Sequence, residues 1–362
     1  MPNLARTVVR DSLRAQEYEP MIITAAPHTL ELAEQIALEA YKVGADPAIF
    51  LDTDAVFYGQ FKWLTEEQLR KTSAHCLGLL DYVKSYVWLG GTEDPAPMRR
   101  VPQPRWAAMF QGEDAHYRKS QQKKPKSVGL ALALVTRPRA KAYGFNFNAW
   151  KKMTESAIAV NYAEMRRRGD AVASLLGRPG EVRVTAENGT DLTFRLAGEL
   201  RKPQFDDGVI DDADVAAGDV ETGLPAGTAS VAPVEDSANG TFVSDVKIPQ
   251  VGTLIEGLSW TFASGRVVDF SAKRNVKSAQ LNWPEGTGAK DMLGSFSIGL
   301  NRKALPGFLI SHLARGTVTL GIGDNQSLGG KNESSYGFAG FLSQGTVEVD
   351  GRAIVRDGRL AV

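Results

Sequence analysis

The sequence contains one cysteine, Cys76, and four histidines. A single thiol excludes an internal disulfide bond and any cluster of thiolates around a metal ion. None of the histidines, His28, His75, His116 and His312, lies in an H-x-D or H-x-x-E-H spacing. The sequence therefore offers few of the imidazole and thiolate groups that hold transition metals.

The chain also lacks a long apolar run and an excess of either charge. Forty-two Lys and Arg residues balance forty-two Asp and Glu residues, so electrostatics gives no reason to expect nucleic acid or an anionic membrane as a partner. No apolar segment approaches the roughly 20 residues that span a bilayer, and the first twenty residues lack the apolar core of a signal peptide. We therefore expect a cytoplasmic protein without a membrane or nucleic-acid partner.

The first half alternates short apolar runs with segments of helical periodicity, which is typical of a parallel sheet covered by helices. A long helix is predicted over residues 148–176, with Asn148 at its start and Gly177 after its end. We predict an α/β domain over residues 1–177. The predicted strands are Met21–Ala25, Ala48–Leu51, Ser85–Trp88 and Gly129–Val135.

The second half shows a different pattern, in which apolar and polar residues alternate around two-residue turns. These turns are Asn188-Gly189, Ser264-Gly265, Asp350-Gly351 and Asp357-Gly358, which are strong signals for β-hairpins. We predict that residues 178–362 form a β-rich α+β domain that carries the functional cleft.

Three segments of the second half carry a family resemblance. Residues 233–240 read PVEDSANG, residues 298–301 read IGLN, and residues 329–335 read GGKNESS. With them, the chain resembles the aminopeptidase T family of dinuclear metallopeptidases, also called thermophilic or leucyl aminopeptidases. The resemblance implies an α/β N-terminal domain, a β-rich C-terminal domain and a homodimer.

The resemblance also implies five positions for metal ligands, because a two-metal peptidase needs converging carboxylates and imidazoles. Glu235 keeps the first of them. Ser295 stands where the family has a glutamate, and Thr319 where it has a histidine. Gly337 and Ala339 stand where it has the histidine and the aspartate of an H-x-D triplet. One ligand of five remains, so we expect no metal and no other cofactor.

The first functional hypothesis is a metal-independent enzyme or binding protein that uses this cleft for a small molecule or a peptide-like ligand. Glu235 would act as a general base or an anchor for the ligand, Lys331 as a cation, and Tyr336 as a hydrogen-bonding group. The cleft would be lined by Ser295, Thr319, Asp324, Asn325, Asn332, Gly337 and Ala339. Each candidate also has a structural interpretation: Glu235 could cap a turn, Lys331 could be solvated, and Tyr336 could pack in the core.

Three alternatives remain open from the sequence. The first is an active aminopeptidase that holds Zn, Co or Mn through recruited ligands such as His312 or a residue of the dimer partner. The second follows family relatives that cleave hydroxypyridine rings with one ferrous ion, whose His and Asp ligands are replaced here. The third is a structural subunit that pairs with an active paralogue.

Overall fold

The computed structural model describes residues 3–362. Its helices are α1 Leu4–Arg6, α2 Leu30–Tyr41, α3 Asp54–Trp63, α4 Glu66–Leu69, α5 Ala74–Leu79, α6 Gln103–Lys123, α7 Arg137–Tyr143, α8 Phe147–Ile158, α9 Tyr162–Leu176, α10 Asp212–Ala217 and α11 Val276–Ala279. Its strands are β1 Pro20–Ala25, β2 Asp46–Leu51, β3 Ser85–Leu89, β4 Lys126–Leu130, β5 Pro179–Thr185, β6 Asp191–Ala197, β7 Gln204–Asp206, β8 Glu221–Leu224, β9 Thr228–Val231, β10 Asn239–Val243, β11 Ile248–Gln250, β12 Thr253–Ala263, β13 Arg266–Arg274, β14 Leu293–Gly299, β15 Val318–Gly323, β16 Gly337–Leu342, β17 Thr346–Val349, β18 Arg352–Arg356 and β19 Arg359–Leu360.

The chain forms two compact units. The first takes the chain up to Ala159 and returns for Gly208–Pro225, and the second takes Val160–Asp207 and Ala226–Val362. The fold class predicted from the sequence, α/β followed by β-rich, is confirmed. The domain boundary predicted at residue 177 stays a prediction.

The first unit is built on a parallel sheet with the strand order β2-β1-β3-β4-β8. Its central strands carry fully buried side chains such as Ile23, Val87 and Val128, as expected for a sheet with both faces covered. The apolar run predicted as a strand over residues 129–135 is only partly one. The strand β4 ends at Leu130, and Ala131–Leu134 forms a 3-10 turn at its carboxyl end.

The second unit contains two antiparallel sheets. One has the order β11-β12-β10-β6-β5-β17-β18-β19, with β13 paired to β12, and the other has the order β16-β15-β14-β9-β7. All four predicted hairpin turns are present. At Asp350-Gly351 both φ angles are positive, 49° and 76°, the geometry that two-residue hairpins require and that glycine adopts without strain. The shared core includes the buried aromatic residues Phe194, Phe242, Trp260 and Phe296.

The long helix predicted over residues 148–176 is wrong as one element. It is two helices, α8 and α9, each capped by an asparagine that precedes it. Asn146 accepts a hydrogen bond from the Ala149 amide at 2.9 Å, and Asn161 accepts one from the Glu164 amide at 3.0 Å. Because these side chains satisfy amides at a helix start, each begins a new helix. Within residues 3–362, no helix combines the length and the apolar character needed to cross a bilayer.

Candidate functional site

Glu235 begins a 3-10 turn, Glu235–Ser237, that follows strand β9 and the buried Pro233. The turn is fixed to the sheet because the Val234 amide donates to the carbonyl of Arg195 at 2.9 Å. The Glu235 side chain points inward, and only 8% of the residue is exposed. A buried carboxylate at this depth requires partners for both of its oxygens.

Both oxygens of Glu235 have such partners. Oε2 accepts from Nη2 of Arg201 at 2.7 Å. Oε1 accepts from the backbone amide of Lys331 at 2.7 Å and from Nδ2 of Asn325 at 3.2 Å. The carboxylate therefore joins three separate segments: the turn after β9, the connection after β6, and the loop between β15 and β16.

Arg201 is itself buried, with 7% exposure, and its second nitrogen is also used. Its Nη1 donates to the carbonyl of Pro233 and reaches that of Ala232 at 3.5 Å. Arg201 thus binds both the carboxylate and the backbone of the segment that carries it. Sequence reasoning missed this residue, and no local signal marks it, because it follows a short turn 34 positions before its partner.

The pKa of Glu235 reflects two opposing effects. Burial raises the pKa. The hydrogen bonds from Arg201, the Lys331 amide and Asn325 together lower it by more than burial raises it, so the pKa lies below the ordinary value of 4.5. Glu235 is therefore a carboxylate at neutral pH, with its charge balanced by the guanidinium. A lowered pKa makes it a weak general base.

Two asparagines hold the loop that covers Glu235. Asn325 accepts from the Asn332 amide at 2.8 Å, and its Nδ2 also donates to the carbonyl of Gly294 at 3.0 Å. Asn332 donates through Nδ2 to the carbonyls of Leu293 at 2.9 Å and Gly323 at 3.1 Å. Both are buried, with exposures of 1% and 5%. These predicted cleft residues therefore act on the backbone, where they fix the loop to strands β14 and β15.

Three further candidates lie on or near the same loop. Asp324 is half-buried, and its Oδ2 accepts from the Ser334 amide at 3.2 Å. The side chain of Lys331 is exposed, and only its backbone amide reaches Glu235. Tyr336 is 2% exposed, donates its hydroxyl to the carbonyl of Ala279 at 2.6 Å, and packs edge-on against Trp283. Burial raises the pKa of Tyr336, so this residue matches its structural interpretation, core packing with a satisfied hydroxyl.

The four predicted positions with small side chains lie on one face of the second sheet. Ser295 is paired with Gly321, and Gly321 with Ala339, so these residues form one row across β14, β15 and β16. The next row contains Ser297 and Thr319, and Gly337 lies two residues before Ala339 on the same strand. Because strand residues alternate between faces, these side chains project to the same side. The opposite side carries the core residues Phe296, Leu320 and Ile322.

The two hydroxyl groups in the row of Ser297 and Thr319 differ in whether they have a hydrogen-bond partner. Ser297 donates its hydroxyl to that of Ser230 at 2.8 Å. The hydroxyl of Thr319 is buried without a hydrogen-bond partner in the part of the chain that the structure describes. An unsatisfied buried hydroxyl is costly, and water or a bound ligand is a common reason for one.

His312 lies in the connection between β14 and β15, in the 3-10 turn Ser311–Leu313. Its ring is 6.3 Å from that of Phe341, which is paired with Thr319. Burial lowers the pKa of His312 to about 4, so the imidazole is neutral at neutral pH.

The parallel α/β unit, the antiparallel sheets and the loop folded over Glu235 define a protein of the aminopeptidase T type. The chain belongs to the thermophilic metalloprotease (M29) family, whose family model matches residues 1–305. Wild-type AmpT from Thermus thermophilus has a similar structure, with a TM-score of 0.77 and 17% identity over 99% of this chain and 98% of that one.

A second similar structure is the 2,5-dihydroxypyridine dioxygenase from Pseudomonas putida KT2440, with a TM-score of 0.61 and 13% identity over 99% of this chain and 96% of that one. At these identities both likenesses concern the fold. No curated protein matches the sequence.

Proposed function

We propose that this M29-family protein is a metal-independent binding protein, whose ligand is a small polar or peptide-like molecule. The observation that carries the proposal is the contact at 2.7 Å between Arg201 and Glu235. The guanidinium supplies the positive charge that a carboxylate in a metal centre would receive from the ion. The carboxylate oxygens are already occupied, by Arg201 on one side and by two amide donors on the other.

The metal site that the family implies does not fit the residues around Glu235. Two divalent ions about 3.5–4 Å apart need several anionic or imidazole ligands. Around Glu235 the donors are amides and a guanidinium, and the neighbouring sheet face offers only hydroxyl, methyl and hydrogen groups at Ser295, Thr319, Ala339 and Gly337. A cation beside Glu235 would also lie next to the guanidinium of Arg201, and the two positive charges would repel each other.

The sheet face suits a ligand without net charge. Serine and threonine hydroxyls both donate and accept hydrogen bonds, and Thr319 has one without a partner in residues 3–362. Gly337 is exposed and Ala339 half-buried, so β16 carries little side-chain bulk at this point. Amide groups of a peptide-like ligand would match such a surface through hydrogen bonds.

A dipeptide titration tests the binding proposal. Leu-Gly is titrated by calorimetry into protein treated with a chelator, and we expect saturable binding that Thr319→Val weakens. The variant Thr241→Val, on a strand of the other sheet, is the matched control and should bind as the wild type does. Absence of saturable binding to the chelator-treated wild type would contradict the proposal.

The alternative is an active metal-dependent aminopeptidase, and one observation favours it: His312 is a neutral imidazole beside the strand that carries Ala339. A neutral imidazole is a metal ligand. This alternative predicts release of leucine from leucine p-nitroanilide when Zn, Co or Mn is added, and loss of that activity in His312→Ala. Our proposal predicts no release with any of these ions.

Assembly and location remain proposals from the sequence and the resemblance. We propose a cytoplasmic homodimer. Light scattering of the purified protein should give about twice the chain mass of 39.2 kDa, and a monomer would contradict the proposal.

A further inference from the structure

The strand order of the parallel sheet places a topological switch point between β1 and β3. From β1 the chain moves outward to β2, and it then returns past β1 to build β3 and β4 on the other side. The connections after β1 and β3 therefore leave in opposite directions and open a crevice at the carboxyl ends of these strands. In open parallel sheets, ligands bind in such crevices.

A cavity of about 830 Å³ lies at this edge of the sheet. Part of its wall comes from the segments that follow three strands: His28 and Thr29 after β1, Glu93 after β3, and Leu132, Ala133, Val135, Thr136 and Arg137 after β4. The larger part comes from the helices α1, α2 and α8 and the residues that flank them. The volume lies within the range of roughly 300–1,000 Å³ that small-molecule sites occupy. Both the part of the wall at the switch point and the volume of the cavity fit a ligand site.

The mouth of the cavity carries a cation without an acidic partner among residues 3–362. The guanidinium carbon of Arg137 lies 4.4 Å from the centroid of the Phe147 ring. Arg137 makes no ion pair with any of residues 3–362. Stacking on an aromatic face orients a guanidinium while its N–H edge stays available for two parallel hydrogen bonds to a carboxylate. Lys151, one helical turn beyond Phe147 on α8, adds a second positive charge.

The wall also carries four glutamates, Glu31, Glu39, Glu93 and Glu155. Glu31 and Glu93 are exposed and have no cationic partner among residues 3–362, whereas the other two are paired. Glu39 is already bonded to Lys42 at 2.9 Å and to Arg10 at 2.7 Å, and these hydrogen bonds lower its pKa. Glu155 lies 3.8 Å from Lys151, a loose surface pair of little strength. The wall also includes the apolar residues Leu32, Leu132, Val135 and Phe147.

His28 adds a defined polar group. Its Nε2 lies 2.9 Å from the carbonyl oxygen of Ala133, and because a carbonyl only accepts, Nε2 carries the proton. In the neutral ring, Nδ1 is then an acceptor. We infer that this cavity is a second binding site, for a small organic carboxylate with an apolar body, with the carboxylate on Arg137 and the body against Leu32, Leu132 and Phe147.

The test uses calorimetric titration of the intact chain with 4-phenylbutyrate and with 4-phenylbutan-1-ol, which differ in the carboxylate. We expect the acid to bind at least about tenfold more tightly than the alcohol, and Arg137→Gln to abolish that difference. Lys141→Gln removes an exposed charge from the same helix, α7, outside the cavity, and should leave the difference intact.

Arg137→Lys keeps the charge but loses the planar fork, so it should retain only part of the preference. Thermal unfolding of each variant confirms that it is folded. Equal binding of acid and alcohol, no binding of the acid, or unchanged binding by Arg137→Gln would each overturn the inference. Because Thr319→Val should bind phenylbutyrate as the wild type does, this result is separable from the dipeptide titration.

Discussion

The two arginines Arg201 and Arg137 show how differently the two units use the same side chain. Arg201 is 7% exposed and donates to a carboxylate and to backbone carbonyls, so its bonding is directed inward. Arg137 is exposed, rests on an aromatic ring, and leaves its N–H edge open. The first arrangement stabilises the fold around Glu235, and the second is arranged to meet a ligand. We therefore expect replacement of Arg201 to lower the free energy of unfolding, and replacement of Arg137 to weaken ligand binding with little effect on stability.

The largest effect is expected from Arg201→Met. It leaves a buried carboxylate without its cation, and such a loss costs about 3–5 kcal/mol of unfolding free energy. Chemical denaturation measures the loss. Arg195→Gln, an exposed arginine on β6, is the control and should change the free energy by less than about 0.5 kcal/mol. In the double variant Arg201→Met, Glu235→Gln the loss should be smaller than the sum of the single losses. A loss of less than about 1 kcal/mol for Arg201→Met would contradict the claim that Arg201 stabilises the fold around Glu235.

Glu235→Gln should cost roughly 2 kcal/mol at neutral pH, since hydrogen bonds to charged groups contribute about that much. The folded pKa of Glu235 lies below 4.5, so the charged pair stabilises the protein above that pH. The contribution is lost as the pH falls through the folded pKa. The free-energy difference between wild type and variant should therefore shrink on acidification below about pH 4.5, in urea titrations at several pH values. A difference that stays constant would be inconsistent with a lowered pKa.

Asn325→Ala should cost about 2 kcal/mol, because it leaves the Asn332 amide and the Gly294 carbonyl buried without a partner. Gln326→Ala changes the next residue, which is exposed, and serves as the control in the same denaturation experiment. If the two variants were equally stable, the hydrogen bonds of Asn325 would not be what holds the loop.

Thr319→Val replaces the hydroxyl without a partner by a methyl group of similar size. In the absence of ligand we expect the variant to be about 1 kcal/mol more stable, since an unsatisfied buried hydroxyl is removed. Ser297→Ala, which breaks the hydrogen bond to Ser230, is the contrasting variant and should be destabilised. Destabilisation by Thr319→Val would mean that this hydroxyl has a partner in the folded protein.

The smallest effect on stability is expected from Arg137→Gln. An exposed cation–π contact contributes at most about 1 kcal/mol, so its unfolding free energy should stay close to that of the wild type. Thermal and chemical denaturation measure it beside Arg201→Met. A loss as large as that of Arg201→Met would show that Arg137 is a structural residue and not an open binding group.

Local signals in the sequence predicted much of the fold. The hairpin turns follow from dipeptides that tolerate positive φ, such as Asp350-Gly351, so the antiparallel sheets of the second unit could be expected. The helix predicted over residues 148–176 failed because Asn161, inside a periodic pattern, caps a second helix. The run that follows β4 was assigned to a strand by its apolar character, but it forms the turn that borders the cavity.

The candidate site was predictable only in part. The segments 233–240 and 329–335 do meet, through the contact of Glu235 with the Lys331 amide. The ion pair with Arg201 depends on tertiary packing, and no spacing in the sequence indicates it. The hydrogen bond from Tyr336 to Ala279 also depends on tertiary packing, because it joins residues 57 positions apart. Sequence patterns report local periodicity, whereas the bonding of a buried polar group depends on what packs against it.

The central claim is that Arg201 takes the place of metal charge beside Glu235. Elemental analysis of protein purified from medium supplemented with zinc, cobalt and manganese tests it most directly. The account predicts no stoichiometric divalent metal in the wild type. About two tightly bound ions per chain, lost on Glu235→Gln, would contradict it.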